Sequence, residues 1–352
     1  MSEQSKAPGK YRWHAASLLL GLLLLSALII TVSHIGDIEH LIQLARQAEP
    51  AWIAAGVLLQ CGTYLCEALA WQGTLHALGI AISLAKLVPL SVAKLFSDQA
   101  MPSGGLSGTA FFLSALRHRG IDTPQALACL LVNLVAHFCA YLAMAFFNLL
   151  ILARYHAMNR WIVTVTVLLG LVALAVPLAV LGMRWRGIAL DVALRRHLPR
   201  LAEPLKTLGD APATLAVLLH QPQVIIRQFG LQCLIIALDM ASLWVMLKAL
   251  GQDVSILVAF SGFMTAAIVA TLSPIPLGLG SFEASCVAML HVLGVGIEAS
   301  LMATILLRGM TVWLPMLPGL WLIRRELILH DVNPDEGDGP SKRFPGNSRG
   351  HG

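Results

Sequence analysis

The sequence predicts an all-α polytopic membrane protein, and three observations carry that prediction. The chain is 57% hydrophobic and only 12% charged, against about 25% charged residues in a soluble domain. Several uncharged runs reach the ~20 residues with which a helix crosses a ~30 Å hydrocarbon core. Lys and Arg gather beside those runs, where they set orientation in a membrane. A nucleic-acid partner is not expected, because it would call for a basic face on a soluble fold. Cys61, Cys66, Cys129, Cys139, Cys233 and Cys286 all sit in apolar runs without a CxxC pair, which suits buried packing thiols.

Residues 1–14 read as a cytoplasmic N-terminus. The first apolar run, 15–32, follows Lys6, Lys10 and Arg12; it is long and has no A-x-A site after it, so it reads as an uncleaved helix. The second, 51–70, follows Pro50, a residue suited to a first helical turn. Further spans are expected over 124–152, 161–182, 225–250 and 298–323. Two apolar stretches remain, 84–119 and 256–293, and both are interrupted. Pro102, Gly104 and Gly105 break the first; Pro274, Pro276, Gly278 and Gly280 break the second. Each half is short for a crossing, so each stretch is expected to form a re-entrant hairpin of two half-helices. Broken backbone at membrane depth survives only inside protein or against a wet cavity.

The expected architecture is therefore about six full transmembrane helices plus two re-entrant hairpins, in one membrane domain over 15–325. Charge counting places both termini in the cytoplasm. The link 184–224 carries Arg184, Arg186, Arg195, Arg196, Arg200 and Lys206 and reads as a cytoplasmic basic link, as does the region of Arg324 and Arg325. Asp37, Glu39, Glu49 and Asp253 fall outside. Arg154 and Arg160 also fall outside, against the rule. The tail, 326–352, is rich in Gly, Pro and charge and is expected to be a disordered cytoplasmic segment.

The two broken stretches align at a constant offset. Pro102 meets Pro276, Gly104 meets Gly278, Ser107 meets Ser281, Leu116 meets Leu290 and Gly120 meets Gly294. This suggests two repeats, about 51–152 and 225–323, each a spanning helix, a hairpin and another spanning helix. Three crossings lie between the hairpins, so the repeats should be inverted, as in transporters that place a substrate site between such halves. Polar residues recur at helical spacing on the four flanking helices: Gln60, Tyr64, Glu67 and Trp71; Asn133, His137 and Tyr141; Gln228, Gln232 and Asp239; Thr304, Arg308 and Thr311.

Candidate substrate-binding residues follow from cost. An Arg at mid-span carries a penalty of ~2.5–3.5 kcal/mol, so Arg308 should face inward and find an acid, Glu283 first and Asp239 second. Its planar fork also suits a phosphate. Glu67 and Asp239 stand at similar distances before their hairpins and fit either proton carriers or neutral acids bonded to a neighbouring helix. His137 and Asn133 complete the set, with His137 better suited to a hydrogen-bonded core position than to metal binding, for want of a second ligand at metal spacing. No phosphate-binding, nucleophile-elbow or zincin motif is present; no catalytic residue, metal or cofactor is expected.

Three stretches, "PSGGLSG", "PLGLGSFEA" and "LLRGMTVWLPMLPGL", resemble the lysylphosphatidylglycerol synthase transmembrane-domain family. These are flippase-like membrane proteins that include members associated with hopanoid biosynthesis. The resemblance spans roughly 15–325 and carries the family pattern at Gly278, Gly280, Glu283 and Arg308. Phe282 stands where the family often has Arg, and Thr109 and Phe112 stand near where many members carry Glu and Arg. The resemblance implies movement of a membrane lipid (phospholipid, isoprenoid or hopanoid) across a bacterial inner membrane. The alternatives are a lipid-modifying membrane enzyme using Glu283, His137 or Asp239, and a scaffold for lipid-biosynthetic enzymes. The aminoacyl-transferring members carry a further soluble domain, so synthase activity is not expected. The topology makes a direct prediction: cysteines introduced in 184–224 are shielded from an impermeant thiol reagent added outside, and those near Asp37 or Gly251 are labelled.

Overall fold

The structure, a computed structural model of the chain, describes residues 48–100, 106–155, 211–273 and 278–314, with single positions between 160 and 178 and at 318. The regular elements among the described residues are all helices, with no strand among them. The helices are α1 (Pro50–Ala77), α2 (Leu84–Ala100), α3 (Leu106–Arg117), α4 (Thr123–Arg154), α5 (Ala211–Leu219), α6 (Pro222–Ala249), α7 (Ile256–Leu272), α8 (Ser281–Val292) and α9 (Ile297–Arg308). A π-helical turn, Gly309–Trp313, continues α9. Three of them, α1, α4 and α6, are long and apolar enough to cross a membrane. The expected segments 1–14, 15–32 and 326–352 lie outside the described residues, as do most of 161–182 and 184–210. So do Pro102, Gly104, Gly105, Pro274 and Pro276.

Local chemistry sets the ends. Pro occupies the first turn of α1, α4 and α6, where its missing N–H costs nothing. α1 and α6 end alike: Gly79 and Gly251 take positive φ, while Ile80 N–H bonds to Leu75 O at 3.0 Å and Gln252 N–H to Leu247 O at 3.0 Å. α3 and α8 repeat the device at Gly120 and Gly294. These are left-handed caps that return orphan carbonyls to the backbone.

Helix lengths recur as well. α1, α2 and α3 have 28, 17 and 12 residues; α6, α7 and α8 have 28, 17 and 12 in the same order. The two 28-residue helices lie antiparallel along their full length. Gly73 faces Arg227, Gly62 faces Leu238 and Gly56 faces Met246, and Gln228 Nε2 donates to Ala70 O at 2.5 Å. At one end Glu49 N–H donates to Ala249 O at 3.0 Å. At the other, Gln221 Nε2 reaches Ala77 O at 3.5 Å. Each residue before a 28-residue helix thus binds the last residue of its counterpart, a two-fold relation. The glycines on α1 let the backbones close up, which is how helices associate where lipid is as apolar as their own side chains.

Each set has its own apolar core. Trp71, Leu87, Leu90, Phe112 and Leu116 pack with the N-terminal half of α4 and with Leu215 and Leu218 of α5. Leu243, Met246, Phe263, Met264, Phe282 and Leu290 pack with α9 and the C-terminal half of α4. The end of the 184–224 link is therefore structured: its "APATLAVLL" stretch is apolar and forms α5 against α4. The span expected over 298–323 is α-helical only to Arg308 before the π turn begins.

Within the second set, α7 and α8 run antiparallel. A Cβ on Gly278 would lie 2.6 Å from Ala270 Cβ, near the break, and one on Gly262 would lie 2.7 Å from Leu290 Cδ2, far from it. Gly262→Val should therefore wedge the pair apart and lower stability by about 1–3 kcal/mol, as overpacking does. Thermal unfolding in detergent followed by circular dichroism reads this, and adding Leu290→Ala should recover part of the loss.

Candidate functional site

The break between α7 and α8 positions the first cluster. Gly280 takes φ 81 and Gly278 φ 60, conformations open to glycine, and α8 starts at Ser281. Glu283, in that first turn, folds back so that Oε2 accepts the Gly280 N–H at 2.7 Å. Ser281 Oγ donates to Gly278 O at 3.0 Å. The carboxylate thus caps an orphan donor and sits at the favourable end of the α8 dipole. Its other oxygen, Oε1, accepts Arg308 Nε at 2.6 Å, with side-chain exposures of 14% for Arg308 and 23% for Glu283. The guanidinium lies 5.0 Å from the centroid of the Phe282 ring, a cation–π contact. An Arg at 282 would set two cations together there.

A groove of about 280 Å³ adjoins this pair, lined by Glu283, Ala284, Val287, Ala288, His291 and Leu301. It lies between α8 and α9 and is walled mainly by apolar side chains. Glu67 and Asp239 do not line it. They sit with other partners.

Glu67 Oε1 accepts Trp71 Nε1 at 3.0 Å and faces Lys94 Nζ of α2 at 3.9 Å. Trp71 is 2% exposed and stacks on Phe112 of α3, with centroids 4.1 Å apart. His137 Nδ1 lies 3.0 Å from Gln232 Oε1 of α6 and within electrostatic reach of Glu67 and Lys94. Asp239 lies near Tyr64 and Tyr141, with Oδ1 enclosed and without a hydrogen-bond partner. Both polar atoms of the Asn133 amide are enclosed and unpartnered too. The structure therefore brings Arg308 to Glu283, and His137 near Glu67. Asp239 and Asn133 do not line the groove beside the Arg308–Glu283 pair.

Two features escaped the sequence reading. Lys94 is a single cation in the apolar half-segment "SVAKLF", and its isolation was the available signal. The second is a motif: "QCGTYLCE", 60–67, and "QCLIIALD", 232–239, occupy the same positions in α1 and α6. Gln60 matches Gln232, and Glu67 matches Asp239. The alignment made at the breaks hides it, because the second set has a longer break and its upstream half is shifted.

Long apolar helices, interrupted shorter pairs and charged groups held between them define an all-α integral membrane protein. The chain belongs to the family described as the lysylphosphatidylglycerol synthase TM region, whose profile matches residues 18–319. It is also 23% identical over 315 residues to a UPF0104 membrane protein of Methanothermobacter thermautotrophicus, covering 85% of this chain and 91% of that protein.

The Glu67–Lys94 contact gives a checkable energy. Lys94→Met should cost about 1 kcal/mol by stranding Glu67, and Glu67→Gln combined with it should cost less than the two single changes summed. Thermal unfolding of the four forms closes the cycle.

Proposed function

We propose that this protein moves a lipid across the bacterial inner membrane, with a polar headgroup passing the α7–α8 break while the apolar part stays in the bilayer. The observation that carries the reading is the Arg308–Glu283 pair at a helix break, beside an apolar-walled groove. A guanidinium presents its donors in a planar fork that matches phosphate oxygens. The carboxylate holds the cation in place without a lipid, which limits the cost of a buried Arg.

The antiparallel α1 and α6, each followed by a 17- and a 12-residue helix, support an inverted repeat with two re-entrant hairpins. In this reading both termini and the 184–224 link face the cytoplasm, in one membrane domain over 15–325. The lipid is a phospholipid, isoprenoid or hopanoid, and lipid-biosynthetic enzymes supply it. A lipid-modifying enzyme fits less well: both Glu283 oxygens are engaged, and His137 is turned to Gln232.

Reconstitution into liposomes containing a fluorescent phospholipid tests the proposal, with dithionite bleaching reporting movement between leaflets. Wild-type protein should accelerate movement. Arg308→Lys should slow it about tenfold while leaving the melting midpoint unchanged, because Lys loses the bidentate fork. No movement by the wild type, with lipid chemically intact, would overturn translocation; chemical change of the lipid would favour the enzyme.

A further inference from the structure

The two-fold relation between α1 and α6 offers a comparison inside the molecule. At the end of α6, Trp244 Nε1 donates to Val254 O at 3.1 Å. Lys248, one turn on, pairs with Asp253 and lies 5.6 Å from the Trp244 ring. That pairing draws the Asp253 carboxyl below its usual range. At this end a backbone carbonyl takes the indole N–H, a solvent-exposed carboxylate pairs with the cation, and Trp52 packs edge-on against Trp244 at 6.0 Å.

The matching end of α1 repeats the backbone and changes the chemistry. Gln72 takes the place of Trp244 and makes the same bond, Nε2 to Ile82 O at 3.1 Å. His76 takes the place of Lys248. Ala81 takes the place of Asp253, so the carboxylate is missing. The space is a pocket of about 380 Å³ lined by Gln72, His76, Ala81, Ile82, Ser83 and Arg227. Arg227 comes across from α6, where its counterpart on α1 is Ala55. Its guanidinium lies flat on α1 because Gly73 leaves room: a Cβ there would be 3.3 Å from Arg227 Cζ. No acid lines the pocket, and no acidic side chain pairs with Arg227 among the described residues.

We propose that this pocket binds a phosphate-type oxyanion, which meets the cations here as the exposed Asp253 carboxylate meets Lys248 at the opposite end of the α1–α6 pair. Arg227 presents its planar fork, His76 an imidazole N–H and Ser83 a hydroxyl, a donor set that matches several phosphate oxygens at once. The pocket sits where α1 ends and α6 begins. Side chains at helix ends carry their charged tips to the membrane surface there, so the anion is either a lipid headgroup or free phosphate. The site is separate from the Arg308 pair and does not rest on the translocation reading.

The full chain, purified in detergent, tests it with two probes. Phosphatidylglycerol retention is measured by native mass spectrometry against phosphatidylcholine, and inorganic phosphate by the shift of the melting midpoint. Arg227→Gln removes the fork. Ala81→Asp keeps every cation and supplies the missing carboxylate internally, so it should exclude the anion and raise the melting midpoint. Both variants should weaken binding at least tenfold. Binding of both probes makes the site one for free phosphate; binding of phosphatidylglycerol alone makes it a headgroup site. Binding of neither, or binding unchanged in both variants, overturns the proposal. Liposome scrambling by Ala81→Asp separates the two sites: unchanged scrambling with lost binding leaves the translocation reading intact, and the reverse leaves this one intact.

Discussion

The antiparallel contact between α1 and α6 is the constraint on which the other helices depend. Hydrophobic burial gives little reason for two apolar helices to prefer each other over lipid. The contact is therefore made of close approach and backbone bonding: Gly56, Gly62 and Gly73 admit side chains of α6 and Met310 of the π turn. Gln228 donates to a helix carbonyl in the middle, and Glu49 and Gln221 close the ends. Once the pair is set, each helix feeds a six-residue connection into a 17-residue partner, and the two apolar cores assemble on either side.

Much of this was legible in the sequence, for reasons that differ by element. Spanning helices announce themselves by length and polarity, and Pro50, Pro124 and Pro222 mark their starts. The interruptions were legible because Pro and Gly have a local meaning that tertiary context does not erase. Arg308 calls for an acid on energetic grounds, and Glu283, in the first turn after the break, is the acid that meets it. What stayed hidden depends on through-space relations. Lys94 finds Glu67 only because α2 folds back along α1. Gln60 and Gln232 match only when the alignment is allowed to slip across the break. The arginines of 184–224 mark it as a basic connection, while the apolar stretch of α5 at its end is too short to signal a span.

The residues on which the two sets differ are as informative as those they share. Each set keeps an acid at the same position of its long helix, yet Glu67 has Trp71 and Lys94 while Asp239 has an oxygen without a partner. The second set keeps a charged pair at its break, where the first has Thr109 in place of Glu283 and Leu134 in place of Arg308. Backbone geometry is shared because packing enforces it. Charge is not shared, because each charged group needs a local partner, and one substitution removes it.

That divergence bears on the symmetry of the energy landscape. A chain built of two identical halves about a two-fold axis has degenerate states: any shape it takes toward one side has a mirror in energy toward the other. Neither direction is then preferred without an external gradient. Ala81 opposite Asp253, and Gln72 opposite Trp244, lift that degeneracy at the two ends of the molecule. The two ends of the α1–α6 pair differ in chemistry on a shared backbone. A handful of side chains on a shared backbone is thus enough to give the molecule a front and a back.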